Sequence, residues 1–327
     1  MRKFIVAVLF VAFTAAAALG QSQGAPTLRI VSEDGNKLPS ELMYGNTKVK
    51  PLRLRPGTNQ PITIDDTDFF VQQQYVDFLS RFPDQGGFAF WQNEINSCGP
   101  DLACIDNKRV NVSAAFFLSI EYQESGFLVH RIYKAAFGDA IGQATIGGVL
   151  TNIPVPVVTR EEFMPDTRRI GQDVIVGTQG WPERLNNNKN AFAQEFVSRS
   201  RFTTAFPSSM TPTEFVEKLN ANTGGALDAG ERQALIQELT ASNNNAGRAS
   251  VLRKVAEDAT LEAAEKNKAF VLAQYFGYLK RNPNQGPDTN HSGYNFWLGK
   301  LNEFNGNFVQ AQMVKAFIDS IEYRARF

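Results

Sequence analysis

The 327-residue chain carries 33 Lys+Arg and 33 Asp+Glu, a formal net charge of zero. Without Arg2 and Lys3 the count is 31 against 33, a net charge of −2. This balance, with no basic run along the chain, offers no electrostatic basis for binding nucleic acid or an anionic membrane surface.

Arg2 and Lys3 precede an uncharged apolar run from Phe4 to Leu19, which ends at Ala18-Leu19-Gly20. Together these read as a secretory signal over 1–20, cleaved before Gln21. The run is shorter than the roughly 20 residues that a membrane-spanning helix requires. No second long apolar run follows, so the mature chain is expected to lack a transmembrane helix and to be exported, whether periplasmic, surface-bound or secreted. Residues 21–67 form a distinct segment. Thr27-Leu-Arg-Ile-Val and Lys48-Val-Lys-Pro-Leu-Arg-Leu-Arg alternate as strands do, with turn signals at Asp34-Gly35 and Gly45-Asn46. So short a segment cannot build its own core, and a β-like or extended arm against the main body is expected.

From Asp68 the helical period takes over. Phe70, Val71, Tyr75, Phe78, Leu79 and Phe82 make one apolar stripe, which Asp66 or Thr67 can cap and Pro83 helps to end. Similar stripes lie near 103–121, 126–137, 190–205, 212–221, 229–240, 246–258, 264–281 and 308–325. Most of the 26 Phe residues fall on them, which points to core packing. Export permits a disulfide between Cys98 and Cys104, because the Gly-Pro loop between them is compact. No His or further Cys lies near enough to suggest a metal.

An internal repeat organises the rest. Val71-x-x-Gln74-Tyr75-x-x-x-Leu79-x-Arg81-x-Pro83 returns as Val271-x-x-Gln274-Tyr275-x-x-x-Leu279-x-Arg281-x-Pro283. Gly87-Phe-Ala-Phe-Trp91 returns as Gly293-Tyr-Asn-Phe-Trp297, and Phe116-Phe-Leu-Ser119-Ile-Glu121-Tyr122 as Phe317-Ile-Asp-Ser320-Ile-Glu322-Tyr323. A weaker copy has Tyr133, Trp181 and Phe196 to Phe202 at these places. A fourth, between Phe215 and Leu261, has lost its Trp. The predicted units are 68–127, 128–206 with an insert at 140–180, the eroded 207–264, and 265–327. The expected fold is mainly α, with degenerate helical repeats in one or two lobes.

The string Tyr-x-x-x-Leu-x-Arg-x-Pro-Asp, then Gly-x-x-x-Trp, then Ser-x-Glu-Tyr resembles the bacterial family catalogued as domain of unknown function 4214. That family is itself similar to the helical linker domains of phycobilisomes. The resemblance covers most of 68–327, being strong in the first and last units and weak between them. It implies exported or cell-surface helical modules and carries over no catalytic residues.

The recurring charges suggest pairing inside each unit. Six residues after the aligned Tyr stand Arg81, Asp139 and Arg281; the closing blocks supply Glu121, Arg201 and Glu322. The sign reverses at both places in the second copy, and Gly225 and Thr260 leave both neutral in the eroded one. Three ion pairs are therefore predicted: Arg81–Glu121, Asp139–Arg201 and Arg281–Glu322. Tyr75, Tyr133 and Tyr275, with Trp91, Trp181 and Trp297, are read as repeat core; their helical spacing favours packing over a sugar-stacking set. His130 and His291 read as ordinary surface residues. Ser119 and Ser320 sit near helix ends without a base to make them nucleophiles.

Ile141 to Val158 is apolar, rich in Gly and Pro, and not helical in pattern. It either covers an open core face or forms a partner-binding edge through Ile146, Val149, Leu150, Ile153, Val155 and Val157. No catalytic residues, metal ligands or cofactor are identified. The composite reading is a non-enzymatic interaction or scaffold module of the envelope or matrix, with an envelope protein or glycan as partner and oligomerisation left open. Self-assembly as a structural component is the alternative; an enzyme acting on polysaccharide is the least supported.

Overall fold

A computed structural model describes residues 53–327, together with three N-terminal strands: β1 (Leu28–Ser32), β2 (Pro39–Tyr44) and β3 (Thr47–Val49). The expected signal over 1–20 and both expected N-terminal turns lie outside the described residues. The strands form an antiparallel meander, with Leu28 opposite Tyr44 and Leu42 opposite Val49.

The remainder is mainly helical. In the first unit, α1 (Thr67–Gln74) runs into a π-helical turn at Tyr75–Leu79, which Ser80 ends in the left-handed region at φ 53°. Asp84 accepts from the Gly87 amide to start α2 (Gln85–Asn96), and Asp101 accepts from Ala103 and Cys104 to start α3 (Leu102–Phe117). Ser119 accepts from the Tyr122 amide and opens the single turn α4 (Ile120–Tyr122). A second π-helical turn, Gln123–Phe127, leads into α5 (Leu128–Phe137).

At Gly138 the chain leaves the helix at φ 73°, ψ −154°, a conformation open to glycine alone. It then forms β4 (Asp139–Ile146) and β5 (Val149–Pro156), joined at Gly147-Gly148. The apolar stretch from Ile141, rich in Gly and Pro, is therefore a regular antiparallel hairpin as far as Pro156. Its pairing tolerates Pro154 and Pro156 because β5 is an edge strand.

The next helices begin with strong caps. Thr159 and Glu162 form a capping box on α6 (Arg160–Gly171). After α7 (Trp181–Phe196) and α8 (Ser200–Ala205), further boxes start α9 (Pro212–Thr223) and α10 (Ala229–Ala241). Asn244 caps α11 (Asn245–Ala256), and Asp258 caps α12 (Ala259–Gln274). The irregular turn of the first unit then returns at the aligned place: π-helical Tyr275–Leu279, ended by Lys280 at φ 57°. The chain finishes with α13 (Ser292–Glu303), α14 (Met313–Asp319) and α15 (Ile321–Arg324), the last capped by Ser320.

One continuous core joins these elements. Helix α5 is buried from Leu128 to Ala136 and packs against α9, α11 and α12. The first and last units meet at their π-helical turns, where Phe78 and Tyr278 lie edge to face at 4.9 Å. Gly277 makes that approach feasible: a Cβ there would sit 2.3 Å from the Phe78 ring. Beside it Ser113 hydrogen-bonds both Gln74 (2.6 Å) and the Tyr278 hydroxyl. The final residues lie over the first unit: Arg324 pairs with Asp65, Arg326 donates to Asp77 at 2.8 and 2.9 Å, and Phe327 meets Phe69 at 5.5 Å. Among the described residues no helix is long and apolar enough to cross a membrane.

Candidate functional site

The polar side chains of each unit assemble around its tyrosine. In the first unit Arg81 lies over the Tyr75 ring, 5.0 Å from its centre, and donates to both Glu121 oxygens at 3.0 Å. Asp84 stands 3.5 Å away on the other side. Burial, then the charge of Asp84, pushes the Tyr75 hydroxyl up to about 12. The last unit repeats this: Arg281 lies over Tyr275 at 5.3 Å and donates to Glu322 at 3.0 Å. Its second acid is Asp288, at 2.8 Å, because Asn284 stands where the first unit has Asp84.

The second unit departs from the predicted pairing. Asp139 and Arg201 do not meet. Asp139 opens β4 and pairs with Lys134 at 2.7 Å, while Arg201 pairs with Glu162 of α6 at 2.6 Å. The cause is the helix exit at Gly138, which carries position 139 into the hairpin. Arg201 still sits over aromatic rings, 5.8 Å from the centre of Tyr133 and 4.2 Å from that of Phe137. Arg199 is the main hub of this unit. It donates to Asp166 at 2.6 and 2.7 Å, to Glu195 at 2.8 Å and to the Tyr133 hydroxyl at 3.0 Å. Tyr133 donates in turn to Asp166 at 2.9 Å. Burial, then the Asp166 charge, pushes the Tyr133 hydroxyl far up.

The tryptophans flank these clusters. Trp91 tilts against Phe116 at 5.8 Å and Trp297 against Phe317 at 5.7 Å. Trp181 begins α7 at the margin of the core. Cys98 and Cys104 lie at disulfide distance, with Cα atoms 5.5 Å apart, between α2 and α3.

Two adjoining hollows border these clusters. A groove of about 850 Å³ runs between the turn 79–84 and helix α6 with the segment that follows it. A smaller one, about 360 Å³, lies beneath Tyr133 and is lined by Glu161, Glu162, Asp166, Glu195, Arg199 and Arg201 among others. Its carboxylates all accept hydrogen bonds: Asp166 and Glu195 from Arg199, Glu162 from Arg201, and Glu161 from Asn282 at 2.9 Å. Such an arrangement ties α6, α7 and the turn into α8 to one another.

The hairpin shares its residues between two environments. Ala144 and Val155 are buried, Ile153 and Val157 are half-buried, and Ile141, Ile146, Val149 and Leu150 are exposed. It is anchored to the last unit, where His291 donates its amide to the Gln143 carbonyl at 2.7 Å and the Thr145 amide donates to Ser292 at 2.8 Å. It thus packs against the last unit and projects an apolar end.

His130 is not a surface residue. It is buried on α5, with Nε2 2.9 Å from Glu265 on α12. Its neighbours Val129 and Arg131 are buried as well, so the polar character that suggested a surface was misleading. The stretch Phe127–Ala136 is apolar enough to foretell a central helix, and that was the available signal. His291 is half-buried against the hairpin, and burial lowers its pKa.

Comparison with known proteins yields no matching family model, no matching curated protein and no matching solved structure.

Proposed function

We propose that this chain is an exported, non-catalytic interaction or scaffold module of the cell envelope or extracellular matrix, binding a protein or a glycan there. The observation that carries the reading is the fate of the recurring charges. Arg81, Glu121, Arg281 and Glu322 are all engaged within their own units, as are Arg199 and Asp166 in the second. Residues that recur for chemistry would present uncommitted groups to a cleft; Arg81, Asp166 and Arg199 border hollows, but their charged groups are engaged in joining helices. The same pattern supports reading 68–327 as degenerate helical repeats, and the resemblance to the domain of unknown function 4214 is retained as part of this proposal.

The test is to pass residues 21–327 over the native envelope fraction, separated into polysaccharide and protein pools. Saturable retention by either pool is expected. Absence of retention by both removes the reading.

A second reading, a self-assembling structural component, is favoured by one feature. The hairpin exposes Ile141, Val149 and Leu150, and no charged residue lies between Asp139 and Arg160. Sedimentation across a concentration series tests it. Concentration-dependent assembly that Leu150→Asp abolishes would favour this reading over the first.

A further inference from the structure

The first and last units share an arrangement that core packing does not account for. Phe90 and Phe296 hold the same place in the repeat, and each lies edge to face against the following Trp, at 4.8 Å and 5.0 Å with interplanar angles of 76°. Each leaves its ring outside, 55% and 54% exposed. Elsewhere the units have diverged: Asp77 faces Gly277, and Ser113 has no counterpart hydroxyl at Val314. A large exposed ring is thus retained twice, held edge to face by a Trp each time.

In the last unit the platform opens onto a hollow of about 440 Å³, a size suited to a small ligand or one or two sugar residues. Phe296, Trp297, Phe304, Gln310 and Gln312 are among the residues that line it. The charges around it are paired, two cations against three carboxylates: Lys300 bonds Glu303 at 2.8 Å, and Lys315 bonds Asp106 and, at 2.9 Å, Asp319. The amide side chains of Gln310 and Gln312 make no hydrogen bond among the described residues. Gln312 is also held left-handed at φ 52°, a costly conformation for a residue of its size. At the matching place in the first unit Glu94 bonds Lys108 at 2.6 Å and Cys98 is bridged to Cys104.

We propose that the hollow bounded by Phe296, Trp297 and Gln312 is a binding site for a neutral glycan. An aromatic face beside uncommitted amides matches a pyranose ring, which has an apolar C–H face and a rim of hydroxyls that both donate and accept. The rim cations are already paired and the rim carries one carboxylate in excess, so it holds no uncommitted cation for an anionic ligand. This assignment rests on the interaction-module reading and names its ligand class.

Titration calorimetry with cellohexaose, maltohexaose and the hexamer of N-acetylglucosamine, with a galacturonate hexamer as the charged control, tests it on the full mature chain. At least one neutral sugar is expected to bind saturably, with an affinity little changed between low and high salt. Phe296→Ala and Gln312→Asn are each expected to weaken binding about tenfold or more, while Phe90→Ala leaves it unchanged. Asn is chosen because it tolerates the left-handed backbone. Both altered residues are exposed, so the variants should melt like the wild type. If Phe296→Ala does not, Gln312→Asn decides. Overturning results are no saturable binding of any neutral hexamer up to about 5 mM, near the weak limit of specific association; unchanged affinity in the folded variants; an equal loss in Phe90→Ala; or a salt-sensitive preference for galacturonate. A chain retained by the protein pool of the envelope but blind to every sugar would remove this assignment and leave the module reading standing.

Discussion

The first and second units solve one structural problem with different residues. In the first, the cation over the tyrosine comes from the turn after the π-helical segment and the carboxylate from the closing block, Arg81 and Glu121. In the second, the closing block supplies the cation, Arg201, and the inserted helix α6 supplies the acid, Glu162. What persists is a neutralised guanidinium against an aromatic ring. Which position in the chain provides it does not persist. The two solutions also differ in depth. Arg81 and Glu121 are 22% and 7% exposed, whereas Arg201 is 44% exposed.

That difference in depth sets the largest expected effect. Glu121→Ala leaves a partly buried guanidinium with only the more distant Asp84 as its carboxylate among the described residues and should cost about 3–4 kcal/mol, read from chemical denaturation. The exchange Arg81→Glu with Glu121→Arg should recover much of what either single reversal loses; a double variant no better than the singles would break the comparison. Next, Arg199→Ala should cost about 3 kcal/mol, because it takes from the buried Asp166 a guanidinium bonded to both its oxygens. A loss smaller than that of Arg201→Ala would show that the hub of the second unit has been misplaced.

The joint between the second and last units is sensitive to pH. Burial raises the Glu265 carboxyl, but the hydrogen bond and charge of His130, and then those of Lys268, outweigh it and hold the group at about 2 against an ordinary 4.5. A carboxyl depressed in the folded state adds stability above its unfolded value, and that stability is lost as pH falls through the folded one. Glu265→Gln should therefore destabilise by about 2–3 kcal/mol at neutral pH. The gap to wild type should narrow from pH 4.5 toward 2 in a series of melts. A gap constant over that range would refute the linkage.

Only the first unit carries a disulfide among the described residues. Cys98→Ser with Cys104→Ser should lower stability by about 2 kcal/mol, since the closed loop is short. Arg201→Ala should be the mildest change, under about 1 kcal/mol, as befits an exposed pair.

The sequence made these units legible where local and tertiary signals coincide. The blocks around Tyr75, Trp91 and Glu121, and around Tyr275, Trp297 and Glu322, correspond to matching helices, turns and ion pairs. Reading failed where a residue's partner comes from an insert. Counting six positions from Tyr133 reached Asp139 in register, but Gly138 had already turned the backbone out of the helix. Glu162 belongs to no repeat, so no alignment of the copies could have proposed it. The same applies to Asp288, displaced four residues from the aligned Asn284 by a longer loop. The hairpin was hidden because Gly and Pro obscure strand alternation. His130 was misread because its partner Glu265 lies 135 residues away.

The placement of the final residues has a consequence for how the molecule is made. Asp77 is fully buried, and its cationic partners Lys280 and Arg326 are among the later residues of the chain. Until those residues arrive, the first unit holds an unneutralised carboxylate in its interior and lacks the ring of Phe327 against Phe69. It should therefore stay incompletely packed throughout synthesis, closing last although it is made early. Contacts spanning some 250 residues of sequence make such closure slow.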